Sequence, residues 1–158
     1  RALCAVGAEP EWVREPAELE THTHAVFPGV GAFDAGVEAA GERLFEALRA
    51  HVAAGRQLLG ICLGMQLLFE RSEEGSREGL GLLPGAVRRL PEGPGHKVPH
   101  IGWNALELDR EHLARSGGAE LWRGTADGAH VYFVHGFALL DVTEPFVVAR
   151  AVHGAPFA

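Results

Sequence analysis

The stretch LLGICLGMQLLFE, residues 58–70, constrains what this chain can fold into more than any other segment. Apolar residues of strand character run up to Cys62, and the residues after it change to helical spacing. Gly60 and Gly64 flank the cysteine where G-x-S-x-G places glycines around a nucleophilic serine, leaving room for a sharply folded strand-to-helix turn. Such a turn presents its side chain at the carboxyl edge of a sheet, where open α/β folds bind ligands. It also puts sulfur at a helix N-terminus, whose partial positive charge favours thiolate. The following amide, that of Leu63, points where an oxyanion would form. A free cysteine is equally a small apolar residue at home in a core, and the five-residue pattern by itself leaves both readings open.

The surroundings of this turn read as alternating. HAVFPGVGAF, residues 24–33, is a short buried strand entering a glycine loop, and Asp34 is placed to cap the next helix by accepting a free amide bond. Val37, Ala40, Leu44, Leu48 and Val52 make an apolar stripe on that helix, and Gly55 offers a left-handed stop. Strand QLLGI, Cys62 and a second helix follow. Two β-loop-α units in series predict a parallel sheet covered on both faces. After the loop SEEGSREGLGLLPG the pattern turns to strands, in AVRRL, GWNALEL, HVYFVHGFALL and FVVARAV. The chain opens on Arg1 in what reads as the last turns of a helix ending near Gly7, and it stops just after a strand. We therefore expect one domain over residues 1–158, cut at both ends, with a doubly wound α/β sheet and an antiparallel addition in its second half.

Composition removes several classes of function. A net charge of -7 disfavours a general affinity for nucleic-acid phosphates or anionic lipid. Residues 57–69, the longest uncharged apolar stretch, are too few to span a bilayer. Two distant cysteines, Cys4 and Cys62, make no disulfide framework, and the expectation is a soluble protein of a reducing cytoplasm. His22 and His24 form an H-x-H pair without a third ligand of fitting spacing, and His96 and His100 likewise lack partners, so no metal is expected.

Two further features surround the cysteine. Gln66 lies four residues on, one helical turn from the sulfur, where an amide can hold a polar substrate. Pro28-Gly29-Val30-Gly31 leaves another strand end with glycines that let backbone amides approach a ligand. Together these are the parts of an acyl-transfer site.

The segments PGVGAF, LLGICLGMQLLFE, SEEG, GLGLLPGAVRRL, KVPHIGWNAL and YFVH, in this order, resemble the glutaminase subunits of imidazole glycerol phosphate synthase, class I glutamine amidotransferases of histidine biosynthesis. G-x-C-x-G-x-Q is common to many class I amidotransferases, whereas Met65 and above all KVPHIGWN point to this group. The resemblance implies a flavodoxin-like fold, hydrolysis of glutamine to glutamate and ammonia, no cofactor, and a heterodimer with a βα-barrel cyclase that takes the ammonia. Carried over residue by residue, it makes Cys62 the nucleophile that forms a glutamyl thioester. Val30 and Gly31 match the oxyanion strand, with the Leu63 amide as second donor. Gly29 and Gln66 fall near bound glutamine. Pro99, Ile101, Trp103 and Asn104 fall in the segment facing the cyclase, and Tyr132 and His135 fall near the ammonia exit. Gly136 and Phe137 stand where relatives carry a hydroxyl residue and an aromatic one at the glutamine carboxylate, which leaves that contact to backbone amides.

A cysteine amidase needs a base, usually a histidine oriented by a carboxylate. The resemblance puts both in a late motif like Q-F-H-P-E that does not occur in residues 1–158, so the expectation is that these residues alone are inactive. Of the nine histidines, His135 is the substitute to test against the structure. A different cysteine hydrolase of the same fold, and a docking module that has lost catalysis, are the competing readings.

Overall fold

The computed structural model describes residues 1–116 and 120–158. A short helix α1 (Ala2–Ala5) and a 3-10 turn over Pro16–Thr21 precede strand β1 (His24–Gly29) and the long helix α2 (Phe33–Ala53). Strand β2 (Gln57–Cys62) lies parallel to β1 and pairs Gly29 with Cys62, which brings the glycine loop and the cysteine turn side by side. Helix α3 (Leu63–Gln66) and strand β3 (Phe69–Ser72) follow, with β3 parallel to β4 (Leu83–Arg89). The remainder is antiparallel. Strand β5 (His100–Ala105) pairs with β7 (His130–His135), β4 with β8 (Phe137–Leu139), and β9 (Ala149–His153) with both β6 (Glu107–Leu108) and β10 (Ala155–Phe157). A helix α4 (Arg110–Ser116) sits between β6 and β7.

The apolar stripe of α2 forms the main core. Phe33, Phe45 and Leu48 are buried against Leu19, Leu63, Leu67 and Leu80, with Val37, Ala40 and Leu44 packed beside them. Each such Phe or Leu contributes roughly 1.5–3 kcal/mol by leaving water. The inward residues Ala25, Phe27 and Leu58 of β1 and β2 rest on this layer. Gly55 at φ 76 ends the helix as expected, while Gly41 at φ 68 interrupts it, a kink that the stripe conceals.

Three expectations about this half are corrected. The parallel pair is covered on one face only among the described residues: Val26, Leu59 and Ile61 on the other face are exposed. The helix after Cys62 is a single turn, because Phe69 is drawn into strand pairing with Leu83 and buried against Val87 and Leu139. Asp34 is not the cap of α2. The free Phe33 amide donates to Glu74 Oε2 at 2.8 Å instead, while the Asp34 carboxylate accepts from the Ser76 and Arg77 amides at 3.0 Å. Those amides hold the Asp34 carboxyl below its ordinary pKa. SEEG therefore acts structurally: Glu74 caps α2, and a β-carbon on Gly75 would fall 2.0 Å from Asp34 Oδ1.

Candidate active site

The cysteine turn has the geometry its glycines demand. Cys62 adopts φ 55, ψ −121, the only positive φ of a non-glycine among the described residues, between the end of β2 and the first residue of α3. Held strain of this kind costs about 1–3 kcal/mol and concentrates at functional sites. The flanking glycines are required by contact rather than by their own dihedrals. A β-carbon on Gly64 would stand 1.7 Å from the Phe27 carbonyl oxygen, and one on Gly60 would stand 2.6 Å from Met65 Cα. Gly29 belongs to the same packing, since its β-carbon would meet the Gly64 nitrogen at 2.9 Å. Helix α3 is thus wedged backbone to backbone between β1 and β2, and the wedge turns Cys62 outward to an exposed position. Leu63, first residue of α3, has one of the amides that a helix start leaves without an internal partner. Val30 is 92% exposed beside this turn and Gly31 has φ 105, so the loop after β1 is free to present its amides.

Gln66 is buried, and its position is set from far along the chain. Its Nε2–H donates to the Phe137 carbonyl at 3.0 Å, which ties α3 to β8. The same carbonyl accepts from His135 Nδ1 at 3.1 Å, and His135 Nε2 faces His100 Nδ1 at 3.0 Å. Both ring nitrogens of His135 are therefore engaged, and it has none to offer the Cys62 thiol. Among the described residues no histidine hydrogen-bonds to the sulfur of Cys62. His100, read from sequence as lacking partners, lies 5% exposed, stacked on His153 at 4.1 Å and on Phe133 at 5.0 Å. Burial, and then the neighbouring His153 and His135, push its pKa down to about 4; burial also lowers that of His135. His96 meets His153 edge-on. His22 and His24 turn to separate neighbours, the Glu18 carbonyl and Thr23 Oγ1. No group of three or more His, Cys, Asp or Glu side chains among the described residues is arranged to hold a metal ion. Gly136 has Val98 Cγ1 at 3.4 Å from where a β-carbon would lie, ordinary contact that leaves room for a small side chain.

A second feature lies on the β5–β7 ribbon. Register pairs Trp103 with Tyr132 and Ile101 with Val134, and the four side chains form one exposed apolar face, with the Trp103 and Tyr132 rings edge to face at 5.6 Å. Pro99 precedes this face and is exposed. Val134 was missed in the sequence because valine in a strand signals core and face alike. Asn104 is used internally, donating to the Val152 carbonyl at 2.8 Å. Strand alternation puts His135 on the opposite side of β7 from Tyr132.

A sequence profile for class-I glutamine amidotransferases matches residues 1–155. This chain belongs to the class-I glutamine amidotransferases. Among curated proteins, the amidotransferase is 41% identical over 156 residues to "Imidazole glycerol phosphate synthase subunit HisH" of Microcystis aeruginosa, covering 98% of this chain and 71% of that one. It is likewise 41% identical over 158 residues to the protein of the same name from Streptococcus gordonii, covering 99% and 72%. A solved structure described as a crystal structure of glutamine amidotransferase superposes with a TM-score of 0.68 at 23% identity, covering 98% of this chain and 74% of that one. That likeness establishes the fold of the amidotransferase. No helix among its described residues is long and apolar enough to cross a membrane.

Proposed function

We propose that residues 1–158 form a single glutaminase domain of imidazole glycerol phosphate synthase, which hydrolyses glutamine and delivers the ammonia to a cyclase subunit. The observation that carries this reading is the strained, exposed Cys62 at a strand-to-helix turn within a chain of this family. Cys62 Sγ attacks the side-chain carbonyl carbon of glutamine. The resulting oxyanion is held by the Leu63 amide and by the Val30–Gly31 loop, the two donors that the pairing of Gly29 with Cys62 brings together. Collapse breaks the C–N bond, ammonia leaves with a proton from the general acid, and water then hydrolyses the glutamyl thioester to glutamate. His135 is disqualified as that acid and base by its two existing bonds, and we assign the step to a histidine and glutamate of an H-P-E motif beyond residue 158. Gln66, Gly136 and Phe137 line the glutamine end, with Gln66 held by the Phe137 carbonyl.

The β5–β7 face is the docking surface for the cyclase, a βα barrel. Ile101, Trp103 and Tyr132 expose 60%, 70% and 55% of their surface, a contiguous apolar patch of the kind that marks partner sites. The test is ammonia release from glutamine by the full-length protein with its cyclase. Cys62→Ala is expected to abolish it while leaving cyclase binding intact, and undiminished release by that variant overturns the assignment.

A further inference from the structure

We propose that His100 is a positioning residue of the glutamine site, acting through His135 and the Phe137 carbonyl on Gln66. The inference rests on the reading of the Cys62 turn as that site, and its geometry is a chain of three hydrogen bonds whose directions are forced. The Phe137 carbonyl can only accept, so Gln66 Nε2 and His135 Nδ1 both donate to it, at 3.0 and 3.1 Å. A neutral imidazole with its proton on Nδ1 has a bare lone pair on Nε2. The atom facing that lone pair, His100 Nδ1 at 3.0 Å, must therefore carry a proton. His100 thus selects the His135 tautomer that can hold the Phe137 carbonyl, much as a ligand's outer hydrogen bond sets an imidazole elsewhere.

The surroundings keep this chain in place. His100 is stacked between His153 and Phe133 and meets Phe157 edge-on, while His153 donates from Nε2 to the Lys97 carbonyl and so is itself fixed. Burial disfavours a charge on either imidazole, which preserves the neutral pair that the bond directions require. Among the described residues the Phe137 carbonyl takes side-chain hydrogen bonds from Gln66 and His135 alone, so the two donors share one acceptor whose backbone is held by the β4–β8 pairing.

The experiment compares the full-length protein carrying His100→Phe, which keeps ring volume without a donor, with His100→Asn, whose amide nitrogen takes the place of Nδ1. Long-range proton–nitrogen spectra report the His135 tautomer directly and independently of any activity. The expected result is a His135 protonated at Nδ1 in the wild type and in His100→Asn, and a mixture of tautomers in His100→Phe. In ammonia release with the cyclase present, losing one hydrogen bond of this kind raises the KM for glutamine about tenfold in His100→Phe with a smaller change in kcat, and His100→Asn recovers most of it. A thermal melt accompanies each variant. If His100→Phe does not fold, His100→Gln, which carries its amide one bond further out, replaces it as the variant that misplaces the donor. An unchanged His135 tautomer in the donorless variant overturns the proposal, as does equal KM impairment by the Phe and Asn variants. Retained ammonia release in Cys62→Ala would instead remove the glutamine reading while leaving the tautomer result standing.

Discussion

Gly64→Ala is the sharpest test of how the cysteine turn is built. The added β-carbon would lie 1.7 Å from the Phe27 carbonyl oxygen, whereas a carbon and a carbonyl oxygen approach no closer than about 3.3 Å. Helix α3 and β1 must therefore part by about 1.6 Å. Nothing flexible can yield, because both contacts are backbone, and the approach of Gly60 to the Met65 backbone blocks a slide toward β2. The remaining escape lifts α3 off the sheet and pulls Leu63 and Leu67, 3% and 2% exposed, from the core. Overpacking ordinarily costs about 1–3 kcal/mol, and a backbone clash belongs at the top of that range. At about 2–4 °C per kcal/mol for a domain of this size, the variant should melt about 6–12 °C lower than the wild type. Gly55→Ala is the control: Gly55 has φ 76 and open space around it, so alanine there meets only the left-handed penalty of about 1–2 kcal/mol. Thermal melting by circular dichroism compares the two. A Gly64→Ala shift no larger than that of Gly55→Ala would refute the wedged-turn argument.

Two further outcomes follow from the same geometry. Trp103→Ala should weaken binding to the cyclase at least tenfold without lowering the melting temperature, because Trp103 is 70% exposed and is the largest side chain of the apolar face; unchanged affinity by titration calorimetry would count against that face as the docking surface. His100, with its pKa pushed down to about 4 in the folded chain against an unfolded value of about 6.5, binds its proton more readily when unfolded. Its stabilisation is thus complete above about pH 6.5 and is lost as the pH falls toward 4. Urea unfolding at about pH 7 and about pH 5 should show the wild type losing up to about 2 kcal/mol more than His100→Asn, and an identical loss in both would contradict the buried neutral imidazole.

What the sequence by itself determined were the features whose cause is local. G-x-C-x-G specifies a turn because only residues without a β-carbon fit at positions 60 and 64, and that exclusion is legible from the two glycines and the change of period around them. The stripe of α2 and its stop at Gly55 follow from spacing along one helix. The alternation in GWNALEL and HVYFVHG announced strands, and the exposed Trp103 and Tyr132 face came from pairing them. Tertiary structure decided whatever depends on partners distant in the chain. Gln66 finds the Phe137 carbonyl 71 residues away, and no periodicity in LGMQ encodes it. His100 and His135 are 35 residues apart, and only the β5–β7 register makes them a pair. Glu74 displaced Asp34 as the cap of α2 because the loop after β3 folds back over the helix start. Helix α3 stopped after one turn because Phe69 gained more from strand pairing and burial than from continuing a helix. Local sterics act between neighbours in the chain and can be read there, whereas hydrogen-bond partners and burial belong to neighbours in space, which only the packed sheet supplies.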